Sequence, residues 1–270
     1  MPANWNAVAE KLTQAGTPEL VCDLFRCHYD NLCSGRDAYL RESEIKPAED
    51  VLDAETLGSG AADRGQAELK HVAVLKLNGG LGTSMGLEAP KSLLAVRDED
   101  TFLTLILRQA SSLSIPLVLM NSFSTDNQTA RAIDAERAKS GVGASVDVIS
   151  FLQHQVPKLA AETMEPVEWP ANPDLQWCPP GHGDIYAALV TSGTLARLLE
   201  LGRRYLFVSI ADNLGATLDP AILGHFAASG KSFLMEVAER TAADRKGGHL
   251  ARTHEGGLLL REKAQCHPDE

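Results

Sequence analysis

The sequence predicts an α/β fold: a doubly wound, mainly parallel (mixed) sheet with helices on both faces, preceded by an N-terminal helical segment. Three observations carry that prediction. From about residue 71 onward, short β-rich runs alternate with helical runs, the pattern of strand–helix–strand units. Before residue 57 the apolar residues recur at helical spacing instead. The first β-rich run also empties into a glycine-rich turn, and sheets of this kind bind ligands beyond the carboxyl ends of their strands.

Residues 1 to about 56 read as helical because Val8 and Leu12, then Leu20, Val21, Leu24 and Phe25, fall on helical faces. Thr17-Pro18-Glu19 is a helix start, with Thr17 as N-cap and Pro18 at the first position, where a missing N–H costs nothing. Residues 57–70, with Gly58-Ser59-Gly60 and Gly65, read as a polar linker. The strands expected next are Val72–Leu77, Pro116–Met120, Val146–Phe151, Tyr205–Ile210 and Phe233–Val237. The helices expected between them are Phe102–Leu113, Asp126–Lys139 and Ile185–Leu201, the last with Leu189, Leu195, Leu198 and Leu199 on its apolar face. The expected division is a helical segment and linker over residues 1–70 and an α/β domain over residues 71–270.

Composition narrows the function. The 270 residues are 44% hydrophobic, enough for a globular core. A net charge of −11 argues against a nucleic-acid surface, which needs a basic face. No stretch approaches a membrane span, and the N-terminus lacks the charged head and apolar run of a secretory leader. Cys22, Cys27, Cys33, Cys178 and Cys266 are odd in number and lack zinc spacing, so reduced cysteines in a cytoplasmic protein are expected.

The turn reads Leu77-Asn78-Gly79-Gly80-Leu81-Gly82-Thr83-Ser84-Met85-Gly86, and Pro90-Lys91 closes it. Glycines bring backbone N–H groups close to a phosphate or base, and a lysine adds a point charge on the same anion. Neither common nucleotide motif fits. A dinucleotide loop started at Gly80 meets Met85 where its third glycine belongs, and Pro90 precedes Lys91-Ser92 where a P-loop needs glycine. Further on stand Pro179-Pro180-Gly181-His182-Gly183-Asp184-Ile185-Tyr186, then Phe207 to Ala216 with Asp212 after an apolar strand, then Met235-Glu236-Val237 and Thr241 to Gly248.

These four ordered segments resemble those of the eukaryotic-type UDP-glucose pyrophosphorylase family, over about the last two-thirds of the chain. The resemblance implies a sheet of the nucleotidyltransferase type and transfer of a uridylyl group from UTP to glucose 1-phosphate, yielding UDP-glucose and pyrophosphate. It also implies Mg²⁺ held by Asp212, and Lys91 on the triphosphate. It places Leu77, Asn78, Gly79, Gly80, Gln153 and Gly181 on the nucleotide. His182, Glu236 and Gly247 fall on the sugar-phosphate side, with Lys246 and Gly248 beside them. Family members continue past a position matching Glu270, so this chain is expected to be an N-terminal portion, with its catalytic domain incomplete.

Each residue also has a plainer reading. Asp212 alone reads equally as a turn aspartate, and Lys91 as a surface lysine. His182 fits a polar residue at a helix start, or an anion contact there. Glu236, in an apolar run, is explained by sugar hydroxyls or by a salt bridge to Arg240. One departure stands out. Ile210 occupies the place, two residues before the metal aspartate, where the family usually has an asparagine that helps hold the sugar, which bears on sugar preference. The rivals are therefore a pyrophosphorylase for another UDP-sugar and a UTP-binding module without full turnover.

Overall fold

The computed structural model describes residues 4–36, 38–49, 51–81, 89–140, 146–242 and 247–269. In chain order these form α1 (Trp5–Gln14), α2 (Glu19–Cys33), β1 (Ile45–Pro47), α3 (Ser59–Glu68), β2 (Val72–Asn78), β3 (Ala95–Arg97) and β4 (Asp100–Thr101). They continue with α4 (Phe102–Leu113), β5 (Leu117–Asn121), α5 (Asp126–Ser140), β6 (Val148–Leu152), β7 (Val156–Pro157) and β8 (Trp177–Cys178). The remainder are α6 (Ile185–Thr191), α7 (Thr194–Glu200), β9 (Tyr205–Ile210), α8 (Pro220–Ser229), β10 (His249–Thr253) and β11 (Leu258–Arg261). The chain divides into two compact units, Met1–Cys33 with Gln66–Asp219, and Ser34–Gly65 with Pro220–Glu270.

The first unit is built on a parallel sheet of order β6-β5-β2-β9. Parallel strands are covered on both faces, and β2 shows it: of Val72–Asn78, all but Leu77 are buried. On one face Ala73, Leu75, Val118, Met120, Ile149 and Phe151 pack with Ile185, Ala188, Leu189 and Leu198 of α6 and α7. On the other, Val72, Val74, Leu117 and Leu119 are buried, as are Leu103, Ile106 and Leu107 of α4. A satellite cluster joins Val8 and Leu12 of α1 and Tyr29 of α2 to Met164.

The second unit holds an antiparallel sheet of order β1-β10-β11. In it α3 and α8 touch backbone to backbone: a Cβ on Gly65 would overlap the Pro220 carbonyl, and one on Gly224 the Ala61 carbonyl. Glycine is used here for closeness, not for an unusual φ.

The predicted strands at β2, β5, β6 and β9 and the helices at α4 and α5 are present within two residues of their expected limits. Four expectations are corrected. α-Helix in the N-terminal stretch ends at Cys33, and beyond it lie β1 and two single 3-10 turns, Glu42–Glu44 and Ala54–Thr56. The linker over 57–70 is instead α3, whose glycines serve the contact just described. The helix over Ile185–Leu201 breaks at Gly193, which has φ 74°. Residues 233–237 form no strand; all five are exposed. A fifth is smaller: α2 starts at Glu19, one residue late, so that Pro18 and not Thr17 is the flanking residue whose carbonyl accepts the first helical bond, from Cys22 N at 3.1 Å. All five cysteines are free.

Candidate active site

The cavity forms where the winding of the sheet reverses. From β2 the chain adds β5 and β6 on one side, then returns to add β9 on the other. Crevices at such reversals, beyond the carboxyl ends of the strands, are where open α/β sheets take ligands. A cavity of about 130 Å³ lies there. Leu77, Asn78 and Gly80 line it from β2, Ile210, Ala211 and Asp212 from β9, and Lys91, Ser92 and His182 complete the wall.

The glycine turn is pinned at its neck. Leu81 bridges to Pro90, and Lys91 N donates to Gly80 O at 3.1 Å. Lys91 thus emerges beside the turn, and its Nζ lies 3.3 Å from Asp212 Oδ2, with both side chains about one-third exposed. The two charges expected to do the chemistry therefore meet across one cavity. Gly82, Thr83, Ser84, Met85 and Gly86 of the turn, and Lys246 further on, lie outside the described residues.

Three more expected residues are brought together beside it. Ser122 Oγ donates to Gly79 O at 3.0 Å, and a Cβ on Gly79 would stand 2.6 Å from Gln153 Oε1. Gln153, only 7% exposed, donates through Nε2 to Gly181 O at 3.0 Å. Gly181 has φ 110°, a conformation that glycine adopts freely and other residues do not. The Asn78 side chain is committed inward, donating to Asn121 Oδ1 at 2.8 Å and Thr129 Oγ1 at 3.0 Å. It holds β2 to β5 and α5, while its own carbonyl accepts from Thr125 Oγ1 at 2.9 Å.

Sequence reasoning missed two features of this region. His154 N donates to Asp184 Oδ2 at 2.7 Å, its Nδ1 lies 2.9 Å from Asp184 Oδ1, and its Nε2 lies 2.9 Å from Thr191 Oγ1. This chain of bonds ties the end of β6 to the His182–Asp184 turn and to α6. The only signal was adjacency to Gln153. Ser92 is the second: its hydroxyl is buried and finds no hydrogen-bond partner among the described residues, yet the residue lines the cavity.

Glu236 and Gly247 belong to the second unit. Glu236 is exposed, which removes the argument that a buried carboxylate there needs a partner. Gly247 lines a cavity of about 440 Å³ within that unit, with His249 and Arg261.

Among the described residues no three acidic, histidine or cysteine side chains converge on one point. Asp212 is a single carboxylate on the cavity wall. That donor set suits Mg²⁺ arriving with phosphate oxygens and water, not a metal held by protein ligands alone.

The family model for UTP–glucose-1-phosphate uridylyltransferase matches residues 22–270. A UTP–glucose-1-phosphate uridylyltransferase from Saccharomyces cerevisiae is 43% identical over 214 residues, 76% of this chain and 42% of that protein. One from Solanum tuberosum is 39% identical over 248 residues, covering 88% of this chain and 50% of its own. A UDP-glucose pyrophosphorylase mutant from Leishmania major, solved in complex with UDP-glucose, superposes with a TM-score of 0.87 at 37% identity, covering 100% of this chain and 59% of its own. The chain spans about half the length of the curated relatives it matches. With the match running over nearly all its residues, the chain belongs to the UTP–glucose-1-phosphate uridylyltransferase family of nucleotidyltransferases.

Proposed function

We propose that the protein is a uridylyltransferase making UDP-glucose and pyrophosphate from UTP and glucose 1-phosphate. The observation that carries this reading is the meeting of Lys91 and Asp212 at 3.3 Å in one cavity at the reversal of the sheet. The sugar-phosphate oxygen attacks the α-phosphorus in line, the bond to pyrophosphate breaks, and no covalent enzyme intermediate forms. The protein contributes position and charge. The main chain of Leu77, Asn78, Gly79 and Gly80, with Gln153 and Gly181, holds uracil and ribose. Lys91 stabilises charge on the departing pyrophosphate. His182 meets the sugar phosphate, and Glu236 and Gly247 belong to the sugar side. Asp212 would hold Mg²⁺, which when bound offsets phosphate charge. Five free cysteines support a reducing, cytoplasmic location.

Pyrophosphate release with UTP, ATP, CTP and dTTP tests the assignment: UTP is expected to be strongly preferred, and a preference for ATP or dTTP overturns it. Ile210 on the cavity wall keeps a pyrophosphorylase for another UDP-sugar as the second enzymatic reading, separated by assaying alternative sugar 1-phosphates. Calorimetric UTP binding without pyrophosphate release would instead identify a UTP-binding module.

A further inference from the structure

Lys76 is the only charged residue in the four parallel strands, and it sits at 1% exposure in the middle of β2. Its register partners are Leu119 on β5 and Ser209 on β9. Its Nζ donates to Ser209 Oγ at 2.6 Å and to Ala216 O at 3.3 Å, and lies 6.0 Å from the centre of the Phe207 ring. Burial alone pushes its pKa down to about 8, with no charged neighbour contributing. A buried ammonium without a carboxylate opposes folding. An unbranched apolar side chain would serve the core better, so the ammonium calls for another explanation.

The explanation lies in what it reaches. The segment after β9 carries Asp212 and is held by a small set of bonds. Ala211 N donates to Leu77 O at 3.1 Å and Asn213 N to Ile210 O at 3.3 Å. Ala216 N donates to Asn213 Oδ1 at 3.2 Å, and Gln109 Nε2 to Leu214 O at 3.3 Å. Lys76 closes this set from below, gripping both β9, through Ser209, and the far end of the turn, through Ala216.

We propose that Lys76 is a positioning residue of the uridylyl-transfer site: by clamping Ser209 and Ala216 to β2, it fixes the turn that aims the Asp212 carboxylate at the metal–triphosphate. This rests on the reading of the site given above. Lys76 acts through Asp212 and does not itself meet the substrate. Groups that orient a metal ligand from behind typically change metal affinity by about 10–100-fold when removed.

The test uses the whole chain as wild type, Lys76→Met and Ser209→Ala. UTP affinity is measured by calorimetry with chelator and with Mn²⁺, bound Mn²⁺ by electron paramagnetic resonance, and amide exchange is followed at Asn213 and Ala216. Lys76→Met is expected to keep metal-free UTP affinity, to lose the gain from Mn²⁺ by about tenfold, and to exchange faster at both amides. Ser209→Ala, which removes one acceptor and no charge, is expected to lose a smaller part of the same gain, and it carries the test if Lys76→Met does not fold. A full Mn²⁺ gain in whichever variant carries the test overturns the clamp. A wild type that binds no UTP under either condition overturns the reading of the site instead.

Discussion

Replacing Gly79 with alanine probes the nucleotide side of the site through a single methyl group. No positive φ stands in the way at Gly79, so the backbone accepts alanine and only space is at issue. The new Cβ would lie 2.6 Å from Gln153 Oε1, well inside contact distance, and 3.4 Å from Ser122 Cβ. Gln153 must swing away, yet it is nearly buried and tied to Gly181 O at 3.0 Å. Losing that bond costs about 1 kcal/mol, and a buried amide left unpaired adds about 1–2 kcal/mol more. The expected result is a loss of about 2–3 kcal/mol, read as weaker UTP binding in calorimetry and a lower urea midpoint. Gly80→Ala is the control, since its Cβ would meet only Lys91 Cδ at 3.9 Å, and its stability should stay near wild type. If Gly79→Ala binds UTP normally at unchanged stability, or if Gly80→Ala is equally damaged, the crowding between the turn and Gln153 is not part of the site.

Asp212→Asn should lower pyrophosphate release by orders of magnitude at nearly unchanged Tm, and near-normal turnover would make Asp212 a turn residue. Ser92→Ala removes a hydroxyl with no partner among the described residues, so urea stability should hold while UTP affinity falls by roughly 1 kcal/mol; a stability loss with intact affinity would show a structural partner. Gly224→Ala should destabilise by about 1–3 kcal/mol through overlap with the Ala61 carbonyl, seen as a lower urea midpoint, and a neutral result would mean α3 and α8 can part freely. Lys76 gives a pH signature. Between about 8 and 10.5 the unfolded chain keeps this proton and the folded chain does not, so wild-type stability rises with pH relative to Lys76→Met, by about 3 kcal/mol in total. Urea unfolding of both proteins at pH 7 and pH 10.5 measures it, and a pH-independent difference would contradict the burial of the charge.

Much of the first unit was legible because its strands must be apolar on both faces and its helices on one. Val72–Leu75 and Leu117–Met120 are unbroken apolar runs for that reason. The neck of the glycine turn and the placing of Asp212 after β9 followed from the same topology. What escaped depended on partners distant in sequence. Gly65 looked like a linker residue because its purpose, the approach of Pro220 and Gly224, lies more than 150 residues away. Gly193 was hidden in a leucine-rich run whose apolar spacing survives the break. Residues 233–237 have strand-like composition, but side-chain type alone does not supply a pairing edge. The Ser92 hydroxyl and the His154–Asp184 bonds are facts of geometry that no spacing announces.

The antiparallel sheet of the second unit pairs Ile45 with Thr253, 208 residues later in the chain. At a synthesis rate of about 5–20 residues per second, Ile45 therefore waits roughly 10–40 s on the ribosome before its partner exists. The first unit waits less: β2, β5 and β6 all emerge between residues 72 and 152, and their parallel pairing can begin while β10 is still untranslated. During that interval β1 and the glycine face of α3 are bare chain beside a half-built protein, open to wrong partners and to proteases. The segment 34–65 thus depends on being shielded until residues 220–261 arrive, which makes translation speed and chaperone supply bear on the protein's yield alongside its final stability.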